Sequence, residues 1–211
     1  MKMKLKISPA ACHVVTELQA AGFEAYIVGG CVRDRLMGIK PHDFDITTEA
    51  FPAETSESFH DCDIILTGLK HGTVTVVYEG ENIEITTFRT DGEYLDNRHP
   101  ENVTFVRNIS EDLSRRDFTV NAMAYNPDEG LIDLFDGEKD IEHKIIRCVG
   151  DADTRFNEDG LRILRAMRFA SVLEFEVEEK TADSVIRNRD LLKNISVERI
   201  YAELTKLILK K

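Results

Sequence analysis

"EAYIVGGCVRDRLMGIKPHDFDIT", residues 24–47, decides how this chain folds. "EAYIV" (24–28) is an apolar, strand-forming run, and Gly29-Gly30 ends it. "VRDRLM" then reads as a short helix stopped by Gly38, and "FDIT" as a second strand. Within that strand Asp43 and Asp45 flank Phe44. Positions i and i+2 of a strand share a face, so the spacing predicts two carboxylates side by side with Phe44 turned inward. One reading is a solvated edge whose negative charge discourages strand pairing. The other is a hard-cation site, where like charges stop repelling once divalent ions sit between them. Mg²⁺ suits it, because it takes one or two carboxylates and completes its shell with water and substrate phosphates.

Working outward, Ser8-Pro9 is an N-cap followed by proline at the first helical position, opening a helix to about Ala21 that Gly22 closes. A short helix is expected near 52–59, then strands at "DIIL", "TVTVVY" and "NIEITTF", broken at Gly72 and Glu79-Gly80. "RTDGEYLDNRHPENV" has no periodicity and reads as a mobile loop. From Asp151 the pattern changes. "EDGLRILRAMRFASVL", "EKTADSVIRNRDLL" and "SVERIYAELTKLIL" carry apolar residues at helical spacing, and Ser196 can cap the last. The expected organisation is an α/β domain over 1–149 and a small all-helical domain over 150–211.

The 211 residues carry 27 Lys+Arg against 39 Asp+Glu, a net charge of −12, which argues against holding nucleic acid by bulk electrostatics. Basic residues still cluster locally, at Arg115-Arg116 and at Arg155, Arg162, Arg165 and Arg168, where a small anion such as a triphosphate can be held. Cys12, Cys31, Cys62 and Cys148 form no C-x-x-C pair and read as buried small hydrophobes in a reducing compartment. No apolar run reaches membrane-span length and the start lacks a signal-peptide core, so a cytoplasmic protein with no membrane partner is expected.

Four groups of residues carry the chemistry. Gly29-Gly30 at a strand-to-helix turn lets backbone N–H groups approach a phosphate, and Arg33 adds a guanidinium fork, although Gly-Gly alone is only a turn. In "NIEITTF", Ile83 and Ile85 share one face, leaving Glu84 on the polar one. If that strand neighbours the aspartates, three carboxylates converge; otherwise Glu84 faces solvent. "RRDFTVNAMAY" (115–125) sets Arg115, Arg116, Asp117 and Asn121 beside an apolar run, and the plain reading is a helix end with its ion pairs. In "NEDGLRILRAMRF", Asp159, Arg162, Arg165 and Arg168 step by three along one side, with Leu161, Ile163, Leu164, Met167 and Phe169 as anchors. That side is either a salt-bridged surface or an anion site.

Taken in order, Gly29-Gly30-Cys31-Val32-Arg33-Asp34, Asp43-Phe44-Asp45, Arg115 to Ala124, Asp133-Leu134-Phe135-Asp136-Gly137 and Glu158-Asp159-Gly160-Leu161-Arg162 resemble the motif series of class II tRNA nucleotidyltransferases. These CCA-adding enzymes share a catalytic core with bacterial poly(A) polymerases. "ISVERIYAEL" (195–204) is similar to their neck signature. The resemblance implies a nucleotidyltransferase head with a mixed β-sheet, class α/β (α+β), and a helical neck. It implies that Asp43 and Asp45 bind two Mg²⁺, that Gly29, Gly30 and Arg33 hold the triphosphate, and that Arg116, Asp117, Asn121, Arg165 and Arg168 belong to the nucleotide site. It further implies that Asp159 and Arg162 act as an amino-acid template for the base.

Hydrogen-bonding inventory explains the template. A carboxylate only accepts and a guanidinium only donates. Cytosine and adenine each present an amino donor beside a ring-nitrogen acceptor, whereas uracil and guanine reverse both. Such a site rejects the reversed pattern by about 10⁴–10⁵. The implied reaction adds C, C and A to a tRNA 3′ end from CTP and ATP, by in-line displacement at the α-phosphorus with Glu84 completing the metal shell or assisting deprotonation. "TGLKHGTVTVV" (67–77) and the long 89–104 loop favour full CCA addition over an A-adding enzyme or a poly(A) polymerase. A non-catalytic nucleotide- or RNA-binding module is the reading from another class; loss of a metal carboxylate would favour it, and all three are in place. Family members usually continue into body and tail domains that grip tRNA. The chain stops at Lys211, so NTP binding with weak tRNA affinity is expected of it.

Overall fold

The computed structural model describes residues 4–92 and 103–209. A seven-stranded mixed sheet forms its centre. In chain order the strands are β1 (Ala25–Val28), β2 (Asp45–Thr48), β3 (Asp63–Ile65), β4 (Thr73–Tyr78) and β5 (Glu81–Thr87); a short ribbon of β6 (Arg89–Asp91) and β7 (Val103–Phe105); then β8 (Met123–Asn126) and β9 (Gly130–Asp133). The sheet order is β3-β4-β5-β2-β1-β8-β9, antiparallel throughout except for the parallel β2–β5 pair.

The helices are α1 (Pro9–Ala20), α2 (Gly30–Leu36), α3 (Pro52–Ser58), α4 (Ile109–Ser114), α5 (Gly137–His143), α6 (Ala152–Glu158), α7 (Leu161–Leu173), α8 (Glu179–Asn188) and α9 (Val197–Ile208). Ser8 caps α1 as expected, its Oγ accepting from the Ala11 N–H at 3.2 Å. Ser196 stands at the N-cap of α9 without making a side-chain cap bond.

Alternation along β1 sorts the core into two layers. Ile27, with Ile46, Ile83 and Ile85 from its neighbours, packs under α1 through Val14, Val15 and Leu18. Phe44 joins this layer, as its position between two aspartates predicts. Tyr26 and Val28 face the other way, onto Phe88, Leu113 and Ala124. A third cluster joins Phe118, Val120, Ile146 and Cys148 to Phe156, Ile163, Ala166 and Phe169 of α6 and α7, so one apolar core straddles residue 149. Each buried Val, Leu, Ile or Phe side chain in these clusters contributes about 1.5–3 kcal/mol of transfer free energy.

Several expectations change. Asp43 is not in the strand, which begins at Asp45. Gly29 turns the chain away at φ 79°, so β1 ends at Val28, whose partner is Asp45, and β1 offers Asp43 no partner. "RRDFTVNAMAY" holds a 3₁₀ turn at Thr119–Asn121 and then strand β8, not a helix end alone; β8 is buried on both faces, so it lacks alternation. The two ends of the 89–104 segment pair as β6 and β7, while the expected mobility falls on 93–102, outside the described residues. "EDGLRILRAMRF" breaks at Asp159-Gly160 into α6 and α7, and Met167 is exposed, not an anchor. The C-terminal part is helical apart from β11 (Glu176–Val177), which runs parallel to β10 (Ile145–Ile146).

Helix α9 turns Glu203 inward and leaves Val197, Tyr201 and Ile208 more than two-thirds exposed. All four cysteines are free thiols, but the expected burial holds only for Cys31 and Cys148; Cys12 and Cys62 are half-buried. Among the described residues no helix is long and apolar enough to cross a membrane.

Candidate active site

The parallel register β2–β5 sets Asp45 directly beside Glu84, so the third carboxylate stands where alternation could place it. One residue further, Ile46 and Ile85 are buried, which fixes the acids on the opposite, open face. Asp43 approaches from the segment before β2. Burial first, then the charges of Asp43 and Glu84, push the Asp45 carboxyl up to about 6, with Arg116 opposing. Three carboxylates crowd one spot here with a single cation in partial relief. Among the described residues no group of three or more His, Cys, Asp or Glu side chains is placed to hold a metal ion. An open two-carboxylate site is what Mg²⁺ uses when phosphates complete its shell, so the donor set fits that ion.

Across from the acids lies the α2 turn. Gly29, at φ 79°, is a position L side chains adopt with strain, and an added Cβ would meet Nη1 of Arg116 at 3.1 Å. The glycine therefore lets the Arg116 guanidinium lie against the turn. Arg116 donates from Nη2 to Oδ2 of Asp112 at 3.2 Å, while its buried Nε has no partner. Asp112 is fully buried, takes two further bonds from Arg115 at 2.8 and 3.0 Å, and accepts from Thr47 Oγ1 at 3.4 Å. Burial alone would raise its carboxyl; Arg116 and Arg115 outweigh that and hold it below the usual range.

Arg33 bonds Asp34 through Nε and Nη2, at 2.9 and 2.7 Å, and donates from Nη1 to Asn121 Oδ1 at 2.6 Å. Asn121 in turn donates to Asp117 Oδ1 at 3.3 Å, and Asp117 takes Arg165 on its other oxygen at 2.7 and 2.6 Å. Burial pushes the Asp117 carboxyl up, but Arg165 and Arg162 pull it down further. Arg168 donates from Nε to Glu203 on α9 at 2.6 Å, and Arg165 lies 3.7 Å from the same carboxylate. At the middle of this chain sits the Phe169 ring, with the guanidinium carbons of Arg168, Arg33 and Arg165 at 4.0, 5.2 and 5.2 Å from its centroid. Gly30 opens α2 at the same place, where an added Cβ would touch Arg33 at 3.5 Å.

Asp159 and Arg162 stand on either side of the α6–α7 break, where the Arg162 N–H donates to the Asp159 carbonyl at 3.0 Å. Arg162 donates to Glu158, to the Arg155 carbonyl at 3.1 Å and to the Arg115 carbonyl at 3.0 Å. Asp159 is gripped by Arg199 of α9 at 2.8 and 3.2 Å, and also takes the Leu161 N–H at 3.0 Å. The expectation that Asp159, Arg162, Arg165 and Arg168 form one helical side is thus corrected: Asp159 lies outside the helix, in extended conformation.

Sequence reasoning missed Asp112, Phe169 as a cation platform, Arg199 and Glu203. The last two carried a signal, because charged residues four apart on an amphipathic helix share a face. Asp133 was read as part of a motif. Its carboxylate receives the N–H groups of Gly137 at 2.9 Å and Glu138 at 2.8 Å, which fixes the start of α5.

Comparison with known proteins places these elements. Residues 25–147 match the family described as the Poly A polymerase head domain, and residues 174–211 the one described as a probable RNA and SrmB-binding site of polymerase A. A CCA-adding enzyme of Lactobacillus delbrueckii subsp. bulgaricus is 54% identical over 201 residues, which is 95% of this chain and 50% of that protein. The crystal structure of the Bacillus stearothermophilus CCA-adding enzyme in complex with CTP superposes with a TM-score of 0.87 at 44% identity, over 95% of this chain and 49% of that one. The Thermotoga maritima CCA-adding enzyme complexed with tRNA_CCA gives 0.80 at 28% identity, over 99% and 52%. The chain spans about half the length of the curated relatives it matches.

Proposed function

The chain belongs to the poly(A) polymerase head-domain family, and from that premise we propose that it carries the phosphoryl-transfer and nucleotide-recognition parts of a CCA-adding tRNA nucleotidyltransferase. Its substrates are CTP and ATP, and its primer is a tRNA 3′ end. The observation that carries this reading is the juxtaposition of Asp45 and Glu84 in register, with Asp43 close enough that its charge adds to burial in raising the Asp45 carboxyl. Carboxylates so arranged repel one another and take divalent cations readily.

In this reading Asp43 and Asp45 hold two Mg²⁺ and Glu84 adds a further acceptor. When bound, the ions lower the pKa of the primer hydroxyl and neutralise charge on the leaving pyrophosphate. Gly29 and Gly30 leave room for the triphosphate beside the α2 turn, and Arg33 and Arg116 supply guanidinium donors to it. Asp117 and Asn121 hold Arg33 and Arg165 in place. Asp159 accepts from the exocyclic amino group and Arg162 donates to the ring nitrogen, which suits cytosine and adenine and opposes uracil and guanine. Arg165 and Arg168 bring positive charge to the same nucleotide.

The division of labour follows the chain: residues 1–149 hold the chemistry and 150–211 the base reader. Four unpaired thiols suit a cytoplasmic location. Addition of A alone, or of poly(A), is the second reading, favoured by the descriptions of the two matched families. The test is incorporation of labelled CMP into tRNA lacking its 3′ end, with and without Mg²⁺, by the native chain and by Asp43→Ala. Metal-dependent incorporation abolished in Asp43→Ala supports the proposal, and none by the native chain at saturating tRNA overturns it.

A further inference from the structure

Three guanidiniums gather over one benzene ring. Phe169, on α7, has the guanidinium carbon of Arg168 at 4.0 Å from its centroid and those of Arg33 and Arg165 at 5.2 Å. Arg165 and Arg168 belong to the same helix as the ring, whereas Arg33 comes from α2 beside the sheet. The ring is held in place. It is 6% exposed and meets Phe118 edge-on, with centroids 5.8 Å apart and planes at 78°.

Like charges this close repel, and carboxylates relieve the three arginines unequally. Asp34 and Asn121 together occupy every nitrogen of Arg33. Asp117 takes two nitrogens of Arg165, whose Nη1 lies 3.7 Å from Glu203, beyond hydrogen-bond length. Arg168 differs. Its Nε reaches Glu203 at 2.6 Å, but its two terminal nitrogens have no hydrogen-bond partner among the described residues, although the residue is only 7% exposed. Burial lowers this guanidinium below its ordinary value, with Glu203 opposing. A nearly buried cation with open donors costs stability unless something meets them.

A carboxylate and an aromatic face differ as partners for a cation. The carboxylate cancels a whole charge and consumes N–H donors, while the ring attracts through its quadrupole and consumes none. A guanidinium held on a ring therefore keeps its donors for an incoming anion. We propose that Phe169 is a positioning residue for the triphosphate: its π face keeps Arg33, Arg165 and Arg168 converged and leaves the Arg168 donors free for phosphate oxygens. The inference rests on the nucleotidyltransferase reading, and in it the ring acts through the arginines. Phe169 also packs with Phe118, Phe156 and Ile163, so deleting it would loosen the core whatever its role.

The experiment keeps the shape of the ring and removes its quadrupole. In the 211-residue chain, Phe169 is replaced by phenylalanine analogues bearing one, two and three ring fluorines, each making the π face less negative. CTP affinity, cytidine affinity and melting temperature are measured for each. CTP affinity should fall step by step, to about tenfold weaker with three fluorines, while cytidine affinity stays unchanged. In an Arg168→Ala background the stepwise loss should shrink, because the cation nearest the ring is gone. A series flat for CTP overturns the inference, whatever the melting temperature does. Equal losses for CTP and cytidine overturn it too, because the ring then serves only the core. So does an undiminished series in the Arg168→Ala background. If the native chain binds no CTP, the nucleotidyltransferase reading falls and the inference with it, a result distinct from a flat series with native binding intact.

Discussion

Arg199 on α9 grips Asp159 with two parallel bonds, 2.8 and 3.2 Å long, from a position forty residues downstream. Asp159 sits at a helix break with extended backbone, so nothing in its own element fixes its carboxylate except the Leu161 N–H. The bidentate fork therefore orients the acid assigned to the base amino group. Replacing Arg199 with Ala removes it and should lower the preference for CTP over UTP about tenfold, the scale of one charged hydrogen bond. Single-nucleotide incorporation with each triphosphate measures this. Arg199→Lys, which keeps charge but not the fork, should recover only part of it.

Asp45, raised from 3.8 to about 6, gives a pH dependence of stability with a definite sign. The folded state binds this proton more tightly than the unfolded one, so the site loses stability as pH rises from about 4 to 6. Asp45→Asn should then melt higher than the native chain near neutral pH in chelator, and the gap should close on acidification. Mg²⁺ should raise the melting temperature of the native chain and not that of Asp43→Asn, Asp45→Asn. Thermal melts with and without EDTA check both.

Asp112 and Asp117 act in the opposite sense. Both are buried, and their arginine partners outweigh burial and hold them below the ordinary carboxylate range. Their contribution is complete above the unfolded value of about 4 and is lost as pH falls through the depressed values. Asp112→Asn and Asp117→Asn should each destabilise the fold near neutral pH and lose less stability than the native chain on acidification. Denaturant midpoints across the acid range test the slope.

Gly137 opens α5 with no room for a side chain: an added Cβ would run into the Thr119 carbonyl and crowd the Met123 side chain, whose Cγ and Sδ would both lie 3.0 Å away. Gly137→Ala should destabilise by about 1–3 kcal/mol. Because Thr119 leads to Asn121, nucleotide affinity should fall with it, as a titration with CTP would record.

Local pattern carried much of this fold. The Ser8-Pro9 start, the glycine stops and the alternation that buried Phe44 and exposed Glu84 depend on neighbours in sequence, and they were legible there. Asp43 was misplaced because strand pairing, set by where Gly29 ends β1, decides where β2 begins. Strand β8 was obscured because burial on both faces erases the period of two. The partners of the arginines were illegible for a different reason. Asp117 meets Arg165 across 48 residues and Arg168 meets Glu203 across 35, and spacing holds no record of such meetings.

The direct measurement of the central claim is the sequence of the product. Native chain, Mg²⁺, CTP, ATP and a tRNA ending at its discriminator base should yield tRNA extended by C, C and A, and then stop. A run of A with no preceding C, or equal use of UTP and GTP, would contradict it.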